Sequence, residues 1–333
     1  MKTSTDYPAV PFALDQPSNL PTQSFFEDPL KIRTMLVPVD FSEESFRALD
    51  YAWSLAKRFG ASVQVVYVYD GESQISSMAT APVLFSDAEI AGRLSKEVQR
   101  RFGVDLRRQD CHVRSGRPFR EIAASARELK ADLVVIATCR AGFTNLLLGS
   151  TAEKVIRHAH CPVLVVREST GGPFKTKTEG IVLQKILVPV DFSECAREGA
   201  KYASVFATRV GANLLLMHVI QPPDYTAQKQ SSGEVERSPL VAAARLEAED
   251  KLEELVNFLP LVGISAEIEV GVGLPVERLA EETKRPDVDM VITSTHGYTG
   301  LRHALIGSTA EQLVRRAHCP VLVVPSHCRQ LPH

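Results

Sequence analysis

Gly307-Ser308-Thr309 opens a helical stretch and holds the residue types that could bind an anion. Backbone N–H groups at a helix start lack intrahelical partners, and small side chains let a phosphate come close. Upstream stands Ser294-Thr295-His296-Gly297, and the nine residues 298 to 306 separate Gly297 from Gly307. A second candidate is Asp191, which ends the apolar run Leu187-Val188-Pro189-Val190. In open parallel sheets ligands bind beyond the carboxyl ends of the strands, where strand order reverses, so both loops would serve one site. His296 and His303 flank the second loop as secondary phosphate candidates.

The same residues have ligand-free readings. Ser308-Thr309-Ala310-Glu311 and Ser150-Thr151-Ala152-Glu153 match the S-x-x-E capping box, which satisfies helix N–H groups by itself. Asp40 and Asp191 fit Asx-type turns at strand ends. His158, His160 and His318 lie near a helix end, where a cationic side chain suits the macrodipole, and this structural reading outweighs a metal site. No G-x-x-x-x-G-K-S/T sequence supports a Walker-type NTPase, and no G-x-S-x-G elbow supports a serine hydrolase.

These loops need a scaffold, and the chain writes that scaffold twice. Leu36-Val37-Pro38-Val39-Asp40-Phe41-Ser42 returns as Leu187-Val188-Pro189-Val190-Asp191-Phe192-Ser193, and Gly149-Ser150-Thr151-Ala152-Glu153 returns at 307 to 311. The offset of 151 to 158 residues far exceeds the period of about 20–50 residues in solenoids, so the repeat is a whole domain. Each copy reads as five strands, one of them short and polar, alternating with four helices. That predicts two tandem doubly wound α/β domains, each a five-stranded parallel sheet flanked by helices. Ser42 and Ser193 are the expected helix N-caps, Gly60 and Gly211 the stops, and Pro118 and Pro275 first-turn prolines. The predicted boundaries are a Pro-rich extension at 1–31, domains at 32–168 and 184–326, a linker at 169–183 and a tail at 327–333. The extension is expected to be poorly ordered and dispensable for folding, although Phe12, Phe25 and Phe26 offer docking groups.

The 333 residues carry a formal net charge of −2 and no long Lys/Arg run, which argues against a nucleic-acid partner. Six cysteines form no C-x-x-C pair, and no apolar run approaches the roughly 18 residues of a membrane span. The N-terminus lacks a signal-peptide pattern. A reduced, cytoplasmic protein without a membrane anchor is expected.

On these loops the chain resembles the tandem universal stress proteins, from about residue 32 to 326. ATP-binding members carry G-x-x-G, nine residues, then G-S or G-T. Here Ser294 stands at the first glycine, Gly297 at the second, and Gly307-Ser308 closes the motif. The resemblance implies a Rossmann-like fold of the adenine nucleotide alpha hydrolase type. It implies ATP, with Mg or Mn, as the cofactor of a stress-response protein. Pro189, Val190, Asp191 and Val219 would form the adenine and ribose end, Ser294, Gly297 and Gly307 the cradle, and Ser308 and Thr309 the phosphate donors. Serine at 294 costs more than glycine only if φ is positive or the ligand approaches very closely.

The first copy departs further. Thr138-Cys139-Arg140-Ala141 replaces the glycine-bearing segment, its loop is two residues shorter, and Gly142 falls one position late, so its site reads as lost or altered. Related ATP-pyrophosphatases would show an S-G-G-x-D-S loop where this chain has Pro-Val-Asp-Phe-Ser. The leading expectation is a nucleotide-dependent regulatory or protective binding module with an unidentified protein partner. A slow metal-dependent ATPase and a nucleotide-free scaffold are the alternatives. In single-domain members the last strand forms the dimer contact. The resemblance therefore implies that His160-Cys161-Pro162-Val163-Leu164-Val165-Val166 and His318-Cys319-Pro320-Val321-Leu322-Val323-Val324 pair within one chain, with homodimerisation left open.

Overall fold

A computed structural model describes residues 30–69, 86–138, 150–167, 181–222, 238–295 and 307–325. The first half runs β1 (Thr34–Pro38), α1 (Glu43–Phe59), β2 (Ser62–Tyr69), α2 (Asp87–Phe102), β3 (Cys111–Ser115), α3 (Pro118–Glu128), β4 (Leu133–Ala137), α4 (Ser150–His158) and β5 (Val163–Val166). The second repeats it as β6 (Lys185–Pro189), α5 (Glu194–Val210), β7 (Asn213–Ile220), α6 (Pro239–Phe258), β8 (Ala266–Val272), α7 (Pro275–Glu282), β9 (Val288–Ser294), α8 (Ser308–Arg316) and β10 (Val321–Val324).

Local chemistry sets these bounds. Ser42 and Ser193 accept from the backbone N–H groups of Ser45 and Ala196, and α1 and α5 end at left-handed Gly60 and Gly211. The central strands are buried on both faces, which is why they read as unbroken apolar runs.

The strands form one ten-stranded sheet in the order β3-β2-β1-β4-β5-β10-β9-β6-β7-β8. Pairing is parallel within each half and antiparallel where β5 meets β10, with Val163, Leu164 and Val165 opposite Val323, Leu322 and Val321. The expected pairing of the last strands is thus present, and a pseudo-two-fold axis passes through it. One apolar layer joins α1, α2, α5 and α6 residues such as Leu49, Leu94, Phe206 and Leu252. The opposite layer joins Ile122, Val155, Leu279 and Leu313 of α3, α4, α7 and α8. Both layers cross the seam, where the Phe59 and Phe206 rings lie 5.3 Å apart.

One expectation needs correction. The S-x-x-E segment of the second copy does not form a capping box. The α8 N-cap is Gly307, with no side-chain cap, so Ser308 is already helical. Glu311 bonds Arg315 and Arg157, while Glu153 bonds Arg157 and Arg315. Leu30, Ile181 and Leu183, just ahead of β1 and β6, are buried. Expectations placed on residues 1–29, 139–149, 168–180, 296–306 and 326–333 lie outside the described residues. Those include Gly297, His296, His303, Gly142 and Gly149.

Candidate functional site

A pocket of about 210 Å³ opens at the carboxyl ends of β6, β7 and β9, against the start of α8. Its wall includes Pro189, Val190, Asp191, Val219, Ser294, Gly307, Ser308 and Thr309, which is every expected site residue except Gly297. Met217, Pro275 and Leu279 also line it and were missed by sequence reasoning. Pro275 carried a helix-start signal but nothing pointing to a ligand.

The first wall is built by backbone. Val190 N–H donates to the Met217 carbonyl at 2.8 Å, continuing the β6–β7 ladder. Asp191 Oδ1 then accepts from the Ser193 backbone N–H at 3.0 Å and its hydroxyl at 2.6 Å, the Asx turn anticipated for it. Phe192 between them is left-handed, with φ 61, as is Phe41 in the first copy, with φ 66. A non-glycine residue in this region is uncommon, so packing must hold it. The Phe192 ring lies 4.5 Å from the His218 ring, and Lys251 Nζ sits 5.5 Å above its face. His218 Nδ1 donates to the Val190 carbonyl at 2.8 Å, tying β7 back to the site strand. Burial, the largest influence, holds His218 below the ordinary histidine value, with the Val190 hydrogen bond opposing it.

The second wall is the α8 terminus. Gly307 N–H donates to the Thr295 carbonyl at 2.5 Å, which ties the start of α8 to the end of β9. Gly307 has φ −55 and Ser294 is an ordinary strand residue paired with Val324, so neither position needs glycine for a left-handed backbone. A Cβ on Gly199 would lie 3.4 Å from Ser294 Cβ, which shows how closely α5 approaches the strand end.

Asp191 is the one carboxylate in the described lining, and no group of three or more His, Cys, Asp or Glu among the described residues could hold a metal ion. Burial pushes the Cys319 thiol up to about 12, leaving almost no thiolate at neutral pH. Among the described residues no helix is long and apolar enough to cross a membrane.

The fold and the repeated strand–Asp–helix unit define a two-copy α/β architecture. The chain belongs to the universal stress protein family, whose signature matches residues 31–167 and 183–325. It is 34% identical over 143 residues to a universal stress protein of Methanocaldococcus jannaschii, covering 41% of this chain and 82% of the relative. It is 35% identical over 141 residues to universal stress protein G of Escherichia coli O157:H7, covering 40% of this chain and 99% of the relative. A solved universal stress protein from Archaeoglobus fulgidus has the same fold, with TM-score 0.56 and 21% identity over 90% of this chain and all of the other.

Proposed function

We propose that this universal stress protein binds ATP in its second half and acts as a nucleotide-dependent regulatory or protective binding module. The observation that carries the reading is the start of α8: among the described residues no side chain caps it at Gly307, Glu311 pairs with arginines, and the terminus borders the pocket. First-turn N–H groups without a cap are the donors a phosphate takes up.

In this reading Val219 and the Pro189-Val190-Asp191 edge hold adenine and ribose, and Ser308 and Thr309 add hydroxyl donors beside the backbone cradle. A divalent cation would travel with the phosphates, because the described lining offers a single carboxylate. The signal would pass along α8. Its Glu311 and Arg315 bond Arg157 and Glu153 of α4, and its terminal carbonyls of Val314 and Ala317 accept from Arg167 at 2.9 and 3.4 Å. Nucleotide at one end of this helix thus bears on contacts with the other half at its far end.

Mass spectrometry of the ligand retained by gently purified full-length protein tests the reading. An adenine triphosphate at about one per chain is expected. Protein that retains none and fails to bind added ATP at equilibrium would overturn it. Turnover with magnesium or manganese measures hydrolysis separately.

A further inference from the structure

A second, larger cavity of about 540 Å³ lies far from the pocket, between the carboxyl-terminal halves of α1 and α2. Its apolar floor is Trp53, Phe102 and Val104, with the Trp53 and Phe102 rings edge to face at 4.9 Å and Val104 40% exposed. Lys57, Arg101 and Asp50 line its rim, and Arg101 there pairs with Glu43 and Glu97. In the second half Ser204 and Thr208 stand on α5 where α1 carries Trp53 and Lys57.

We propose that the chain's own N-terminal extension fills this groove, with Phe25 and Phe26 against Trp53 and Phe102, and Glu27 and Asp28 toward Lys57. The place of chain entry supports this occupant. The Ser62 backbone N–H and hydroxyl both donate to the Arg33 carbonyl, at 2.8 and 3.2 Å, so the first described residues run beside the turn between α1 and β2. Gly60 and Ala61 of that turn line the groove, and Leu30 is buried in the adjoining core.

Distance fits as well. The seven residues from Gly60 back to Trp53 span about 10 Å at roughly 1.5 Å per helical residue. The five residues from Leu30 back to Phe25 reach about 17 Å when extended. Lys57 of the rim is the cation that Glu27 and Asp28 would meet.

Trp53 is the chain's single tryptophan, so its fluorescence reports on the groove alone. In full-length protein, Phe25→Ala/Phe26→Ala is expected to shift Trp53 emission to the red and raise its acrylamide quenching constant about twofold, with far-UV circular dichroism unchanged. A synthetic peptide of residues 22–30 added to the double variant is expected to reverse both changes. Glu27→Lys/Asp28→Lys, which keeps both rings, is expected to give a smaller shift in the same direction. Equal quenching in wild type and folded double variant would overturn the proposal. So would protection that grows with protein concentration, which would assign the groove to a second copy, or protection supplied by a small aromatic solute and not by the peptide.

Discussion

Leu164 of β5 and Leu322 of β10 are register partners at the centre of the antiparallel seam, and both are fully buried. The residues flanking them pair symmetrically, so the pseudo-two-fold axis runs through this leucine pair and both apolar layers continue across it. Halves that share a core should unfold together. Calorimetry of the full chain is expected to show one cooperative transition, and Leu322→Ala should lower stability by about 2–5 kcal/mol while keeping it single. Two separated transitions would show that the halves are energetically independent.

Over the same axis, Glu153, Arg157, Glu311 and Arg315 form a closed set of ion pairs with N–O distances of 2.8 to 3.2 Å. Their side chains remain 22–27% exposed, so water competes with each pair. A double-mutant cycle on Glu153→Gln and Arg315→Gln is expected to give a coupling of about 0.2–1 kcal/mol that shrinks as salt rises. A coupling of several kcal/mol, insensitive to salt, would contradict a solvent-screened network.

Stability should fall on mild acidification. His218 is held below its ordinary value chiefly by burial, and His112 shifts the same way for the same main cause. The unfolded chain takes up these protons near pH ~6.5, while the native state does so only lower. The stability is therefore fully present above that pH and is lost as pH falls toward the depressed native values. The urea midpoint is expected to drop between about pH 7 and pH 5, less steeply in His218→Asn. An unchanged slope in that variant would place the proton uptake elsewhere.

The turn after β6 predicts a graded mutational series. Asp191→Asn keeps an acceptor for the Ser193 N–H and hydroxyl, and should leave the melting temperature nearly unchanged. Asp191→Ala removes that acceptor beside left-handed Phe192 and should cost about 1–2 kcal/mol. Equal losses in the two variants would mean that charge, rather than the turn, is what Asp191 supplies.

Much of this was legible because it is written locally and twice. The Asp-Phe-Ser turn, the serine caps and the final Val-Leu-Val-Val strands each involve neighbours in sequence, and the repeat supplies an internal control. The capping box failed because Gly307 takes the N-cap and moves Ser308 inside the helix. The glutamate that should have closed the box is drawn to arginines of α8 and α4, one of them in the other half. The left-handed phenylalanines carry no residue-type signal, since glycine or asparagine would ordinarily occupy that region. Met217 and Leu279 reach the pocket through strand register and helix packing, which one sequence does not display.

Isothermal titration of ATP into full-length protein, with Gly307→Val and Gly149→Val alongside, tests the central claim most directly. Gly307 has φ −55, which valine adopts without left-handed strain, so the substitution adds bulk at the cradle rather than distorting the turn. The account predicts about one ATP per chain for wild type and for Gly149→Val, and loss of binding in a folded Gly307→Val protein. A folded Gly307→Val protein that binds ATP like wild type, or loss of binding in Gly149→Val alone, would contradict it.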